Sequence, residues 1–186
     1  MGPGFVIGGL WIAFWISWAA AASWSNSTIK RATMQEELKH RIPLIASFVL
    51  LAVPAHGYRG WMRLWQPDMP EAWIVVVLIA VGLGFAWWAR LHLGRLWSAT
   101  ITRKEGHHVV DTGPYRLVRH PIYTGILFAV YATAAVKGTM LGIAGAVLAT
   151  WSLWLKARLE ERFLRAELGE PYVEYCKRTP MLLPFV

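Results

Sequence analysis

Five uncharged, mostly apolar stretches divide the chain: residues 5–24, 42–58, 72–89, 121–136 and 138–155. A helix that crosses a bilayer needs about 17–25 largely apolar residues, and each stretch meets or approaches that length. Composition agrees, since 16% of the 186 residues are charged where an ordinary soluble domain carries about a quarter. The expected fold is all-α, a polytopic membrane protein with about five transmembrane helices. Pro43 and Pro121 stand at the start of their stretches, where the first turn of a helix tolerates a missing N–H. Lys137 alone separates the last two stretches, which predicts a tight helical hairpin. The polar residues 25–30 follow the first stretch without a secretory cleavage pattern, so that stretch reads as a retained helix.

Charge follows the same division. Of the 19 Lys and Arg residues, Arg59, Arg63 and Lys137 fall on one side of a five-span arrangement, and the remaining sixteen lie in segments 25–41, 90–120 and 156–186 on the other. The positive-inside bias then predicts an external N-terminus and a cytoplasmic C-terminus in a bacterial or archaeal plasma membrane. Basic residues that flank spans account for the net charge of +8, so the bilayer, not nucleic acid, is the expected partner. The single Cys176 allows no intramolecular disulfide and no zinc-type cysteine cluster. Trp61, Trp65 and Trp73 fall near outer ends, and Trp87, Trp88, Trp97, Trp151 and Trp154 near inner ends, the pattern of interfacial belts. Trp11, Trp15 and Trp18 share one helical face, a packing or lipid-contact pattern. The spacings Gly138-x-x-x-Gly142 and Gly142-x-x-Gly145 suit close approach of helices.

Two polar segments exceed what connection requires. The 90–120 segment is long for a linker and carries His92, Arg95, His107, His108, Asp111, Tyr115, Arg116, Arg119 and His120. Gly113-Pro114 is turn chemistry and Pro121 opens a helix, so Tyr115 and His120 belong beside a helix N-terminus. That end favours anions such as a carboxylate or phosphate. In 156–178, Leu155, Leu159, Phe163 and Ala166 recur at helical spacing. They extend the last span as a cytoplasmic amphipathic helix, which Gly169 and Pro171 end. Lys156 and Glu160 lie one turn apart with Glu161 alongside; taken alone they read as a surface ion pair of about 0.2–0.5 kcal/mol. The chain has no Gly-x-Gly-x-x-Gly and no nucleophile elbow. Adjacent His107 and His108 do not converge on one metal as an i,i+4 pair would, so no metal site is expected.

The run 107–125, His-His-Val-Val-Asp-Thr-Gly-Pro-Tyr-Arg-Leu-Val-Arg-His-Pro-Ile-Tyr-Thr-Gly, resembles the signature of isoprenylcysteine carboxyl methyltransferases. So do Glu160-Glu161, Gly169-Glu170-Pro171-Tyr172, Tyr175, Arg178-Thr179-Pro180 and Pro184-Phe185. The resemblance covers residues 90–186, about half of the chain. It implies a catalytic region there, with residues 1–89 as an N-terminal transmembrane part. It also implies an S-adenosyl-L-methionine pocket at the cytoplasmic face. Cofactor contacts carried over by position are Thr100, His107, His108, Val109, Val110, Tyr115, His120, Pro121, Ile122, Tyr123 and Glu160. Thr100 stands where eukaryotic members usually carry Gln. The catalytic set carried over is Lys156, Glu161 and Arg119. Lys156 stands where those members place Arg, which keeps the charge and loses the bidentate fork. That change points from a prenylcysteine carboxylate toward another small or lipophilic acceptor, a carboxylate, thiol or amine. An amine or thiol must lose a proton, a task for Glu161 or His120. A membrane NADPH-dependent sterol-type reductase has a similar C-terminal half and would place its 2′-phosphate on Arg95, Arg103 and Lys104. A non-enzymatic membrane module is the remaining reading.

Overall fold

The computed structural model describes residues 2–24, 28–31, 33–54, 62–98, 102–104 and 108–184, with backbone alone for 28–31 and 102–104. Among these residues six α-helices and one short strand pair follow in the order α1 (Pro3–Ala21), β1 (Thr28–Arg31), α2 (Met34–Ala52), α3 (Met69–Leu93), β2 (Thr102–Lys104), α4 (Pro121–Lys137), α5 (Met140–Leu168) and α6 (Glu170–Arg178). Three helical segments are long and apolar enough to cross a membrane: Pro3–Ala21, Met69–Leu96, which adds a 3-10 turn to α3, and Met140–Leu168. Pro121–Lys137 is apolar but shorter. The all-α membrane architecture stands, with a two-stranded antiparallel sheet added to it, Arg31 opposite Thr102 and Thr28 opposite Lys104.

Local chemistry sets the boundaries. Asp68 caps α3 by accepting from Glu71 N at 2.8 Å, and Glu71 Oε2 accepts from Asp68 N at 3.0 Å, a reciprocal capping box. The expected hairpin is present, because α4 ends on Gly138 at φ +58°. A side chain there would collide with Trp65 O, so the position requires glycine both for conformation and for space. As expected, α5 runs past the apolar stretch and ends at Gly169, with Pro171 in the first turn of α6.

One helix lies elsewhere than the hydropathy indicates. α2 begins eight residues before the apolar run, and Pro43, expected in a first turn, lies inside the helix. The cause is a capping box: Thr33 Oγ1 accepts from Glu36 N at 3.3 Å, and Glu36 Oε2 accepts from Thr33 N at 3.2 Å. The polar first turns then pack inward on α5, which buries Glu37 and His40. Ser152 Oγ on α5 donates to His40 O at 2.6 Å.

Two glycine contacts draw the helices together. A Cβ on Gly125 would lie 2.6 Å from Gly82 O, and one on Gly82 would lie 2.8 Å from Gly125 O. α3 and α4 therefore touch backbone to backbone. Gly145 plays the corresponding part between α5 and α2, where a Cβ would meet Ser47 O at 3.0 Å. Of the expected close-approach glycines, Gly145 thus lies at a helix interface.

Two tryptophans assigned to interfacial belts, Trp87 and Trp97, join an interior cluster instead. Trp18 packs edge-on against Trp87 at 5.4 Å and Trp97 at 5.5 Å. The buried Arg90 lies 4.3 Å over the Trp97 ring and donates to Ala21 O at 2.9 Å, Trp24 O at 3.1 Å and Gly94 O at 2.7 Å. It thereby satisfies carbonyls at and beyond the end of α1 that have no partner within the helix, and it ties α1 to the end of α3.

Candidate active site

The 3-10 turn Gly113–Arg116 sets the entry to α4. Gly113 has φ +56°, and a Cβ there would lie 2.6 Å from the His92 ring. His92 stacks on Tyr115 with ring centroids 6.3 Å apart, so α3 supports the turn from below. The C-terminal segment closes over it. Tyr175 OH donates to Tyr115 O at 2.6 Å, Arg119 N to Pro180 O at 2.8 Å, His120 N to Met181 O at 3.1 Å and Thr124 Oγ1 to Leu182 O at 2.7 Å. Arg119 Nε donates to Glu161 Oε1 at 2.6 Å, and its Nη1 donates to Cys176 O at 3.1 Å and to Thr179 O. One guanidinium thus joins the loop, α5 and the end of α6.

His120 sits at the centre, buried before the first turn of α4. Its Nδ1 is 3.5 Å from Glu160 Oε2 and its Nε2 3.4 Å from Glu161 Oε1. Its ring stacks on Tyr123 at 5.4 Å, nearly parallel. Tyr123 OH donates to Glu160 Oε1 at 2.6 Å. Lys156 Nζ lies 4.0 Å from Glu160 Oε1 and 5.4 Å from the Tyr123 ring centre. Burial opposes the imidazolium form of His120, but the two carboxylates outweigh it and its pKa is raised above the ordinary value. Burial also pushes the phenols of Tyr115 and Tyr172 upward, which keeps them neutral.

These groups border a cavity of about 130 Å³. One wall comes from Leu93, Leu96, Trp97 and Ser98 at and just after the end of α3. A second comes from His108, Val109, Val110, Tyr115, Arg119, His120, Ile122 and Tyr123. The rest comes from Glu160, Phe163, Leu164 and Leu168 on α5, and Tyr172 and Tyr175 on α6. Most of the wall is aromatic or aliphatic, and among the described residues Glu160 is its one carboxylate.

The cavity gathers most of the residues expected from the sequence. Thr100 and His107 lie outside the described residues, as do Arg59, Trp61 and Phe185. Pro121 is buried at the first position of α4 and does not line the cavity. Glu161 and Lys156 stand behind the wall, Glu161 against Arg119 and His120, Lys156 against Glu160. The Lys156–Glu160 pair is no surface pair, with side chains 14% and 19% exposed. Arg95 is exposed and does not line the cavity, and the side chains of Arg103 and Lys104 lie outside the description. Sequence reading missed the wall after α3, Phe163 and Leu164 as lining residues, and the buried His40 and Glu37 beside Lys156. Trp97 next to Ser98 carried no periodic signal; the Thr33-x-x-Glu36 cap did signal a helix that would bring Glu37 and His40 inward.

Comparison with known proteins places this geometry. Residues 73–166, half of the chain, match the model of the isoprenylcysteine carboxyl methyltransferase (ICMT) family. The chain belongs to that family. The matched segment runs from the first turns of α3 to just past the Glu160–Glu161 pair, so it holds most of the cavity wall. Family and apolar helices together make this a membrane protein. Relatives include a probable protein-S-isoprenylcysteine O-methyltransferase of Oryza sativa subsp. indica, 30% identical over 64% of this chain and 66% of its own length. A methanethiol S-methyltransferase of a Pseudomonas species is 41% identical over 65% of this chain and 53% of its own. A cobalt-zinc-cadmium resistance protein of Cupriavidus metallidurans is 29% identical over 78% of this chain and 64% of its own. The chain spans just under two thirds of the length of the first of these relatives.

Proposed function

We propose that this family member is an S-adenosyl-L-methionine-dependent methyltransferase whose catalytic region is residues 90–186, working at the cytoplasmic face of the membrane. The observation that carries the reading is Glu160, a carboxylate held by Tyr123 and flanked by His120 on the wall of a largely apolar cavity. The donor set fits that cofactor. Trp97, Phe163 and Tyr172 offer aromatic and apolar surface for an adenine, Glu160 a counter-charge for an ammonium, and the N-terminal end of α4 a positive pole for a carboxylate. The cofactor supplies an electrophilic methyl group on a sulfonium.

The chain's own residues orient and enclose. Tyr123 and His120 fix the Glu160 carboxylate, and Arg119 fixes Glu161, which in turn holds His120. Glu161 therefore acts as a positioning residue through His120, while Lys156 places a positive charge behind Glu160 and Tyr123. Closure by α6 and the C-terminal segment excludes water, which strengthens each electrostatic contact inside. With reactants held in line, positioning can supply much of the rate.

The acceptor is a small or lipophilic carboxylate, thiol or amine that reaches the site from the bilayer. Lys156 presents a point charge in place of a fork, which favours an acceptor other than a prenylcysteine carboxylate; the thiol named in the Pseudomonas relative sets one class to try first. In the same reading five helices cross the membrane, with the N-terminus outside and the C-terminus in the cytoplasm. Purified protein with methyl-labelled S-adenosyl-L-methionine and a panel of alkane thiols, fatty carboxylates, alkyl amines and a prenylcysteine tests it. Label should pass to one acceptor class above the rate without protein. Transfer to none of the four classes counts against the reading.

A further inference from the structure

A second cavity lies at the other end of α4, bounded by α1, α2, the start of α3 and the last turns of α4. Its volume is about 890 Å³. Along α1 it extends from Pro3 to Ile16, about 20 Å at 1.5 Å per residue. One leaflet of a hydrocarbon core roughly 30 Å thick is about 15 Å deep, so the groove is long enough for a full acyl chain. Its walls are apolar, with Ile7, Trp11, Ile12, Trp15, Phe48 and Leu51 among them. The inner polar atoms are already satisfied: Trp11 Nε1 donates to Thr133 Oγ1 at 3.0 Å, which donates to Ala129 O at 2.7 Å. Gly4 and Gly8 face the space, and a Cβ on either would meet nothing within 4 Å.

The charge is one-sided. Arg63 and Lys137 line the groove, and no Asp or Glu does among the described residues. Both cations are fixed at the α4–α5 turn. Arg63 bridges Thr139 through the backbone, and Lys137 Nζ gives one of its donors to Val53 O at 2.6 Å. An apolar trough one leaflet long with two cations at its α4–α5 end matches an amphiphile with an apolar tail and an anionic head.

We propose that this groove is a binding site for one anionic phospholipid of the bilayer leaflet opposite the active-site cavity, its acyl chain along α1 and its phosphate against Lys137 and Arg63. The site is independent of the methyl-transfer reading, since α4 separates the two cavities.

Native mass spectrometry of the detergent-purified chain tests it, with palmitoyl-oleoyl phosphatidylglycerol and phosphatidylcholine as probes of equal chain length. Wild type should retain the phosphatidylglycerol about thirtyfold better, the effect of two cations near a headgroup. Gly8→Trp fills the trough and should reduce phosphatidylglycerol to the phosphatidylcholine level, with helix content unchanged by circular dichroism. Gly4→Phe is the second filling variant should Gly8→Trp not fold. Arg63→Gln with Lys137→Gln should abolish the headgroup preference. Equal retention of the two lipids by wild type, or full phosphatidylglycerol preference in a folded filled variant, overturns the proposal.

Discussion

The Tyr123 hydroxyl donates to Glu160 Oε1 at 2.6 Å, joining the first turn of α4 to the part of α5 that runs past its apolar stretch. This bond holds the Glu160 carboxylate in place on the cavity wall. Glu160→Ala should weaken binding of S-adenosylhomocysteine at least about tenfold, or 1.4 kcal/mol. Tyr123→Phe keeps the carboxylate and removes one donor, so its loss should be smaller, about 0.5–1.5 kcal/mol. Isothermal calorimetry on both variants checks the order; Tyr123→Phe losing more than Glu160→Ala would contradict it.

His120 gives stability a defined pH dependence. Its ring faces Glu160 and Glu161 from α5 and Tyr123 from α4. Its pKa is raised on folding above an ordinary value of 6.5. A raised value means that the folded chain binds the proton more tightly than the unfolded one. Its contribution is therefore complete below 6.5 and lost as pH rises through the folded value. Thermal unfolding followed from pH 6 upward should show wild type losing stability in that window and His120→Gln losing less. Parallel profiles would contradict the account.

Arg119 bonds Glu161 and the carbonyls of Cys176 and Thr179. Arg119→Ala leaves a buried carboxylate without its main partner, at a cost of about 3–5 kcal/mol. The variant should melt earlier than wild type, and limited proteolysis should release the segment after Cys176 first. A melting temperature equal to wild type would show the network to be dispensable.

The glycine contact between α3 and α4 gives a prediction about packing. Gly125→Leu places side-chain atoms where Gly82 O and Ala86 N already stand, which should destabilise by about 1–3 kcal/mol or more. Gly84 is the control, because a Cβ there meets nothing within 4 Å. Gly84→Ala should be neutral or slightly stabilising in detergent-based melting, since alanine is the better helix former.

Five crossings with an external N-terminus can be read by labelling. In a Cys176→Ser background, a cysteine at the exposed Met140 beside the α4–α5 turn should react with an impermeant maleimide added to whole cells. A cysteine at Glu174, exposed on α6, should react only after lysis. The reverse pattern would invert the topology, and reaction at both sites in whole cells would break the five-span count.

Legibility varied with the kind of signal. The start of α4, the end of α5 and the start of α6 were readable because Pro121, Gly169 and Pro171 impose local backbone chemistry that packing cannot override. α2 was misplaced because hydropathy marks the apolar run at Ile42, whereas the helix starts where Thr33 and Glu36 cap it. The polar turn between those points is stabilised by long-range contacts, such as Ser152 with His40 O, which no local pattern encodes. Trp97 looked interfacial because belts and interior clusters share composition; the stacked Arg90 that decides the matter lies seven residues away and packs in three dimensions. The site residues 108–123 were legible as a motif. Those after α3 were not, and Tyr172 and Tyr175, though part of the second signature, reach the cavity only once the C-terminal segment docks on Arg119 and His120.

The central claim is that the cavity bordered by Glu160, His120 and Trp97 takes S-adenosyl-L-methionine. Calorimetric titration of the purified chain with S-adenosylhomocysteine and, separately, with NADPH tests it most directly. The account predicts saturable heat with S-adenosylhomocysteine, weakened by Glu160→Ala, and none with NADPH. Saturable NADPH binding with no response to S-adenosylhomocysteine would contradict it.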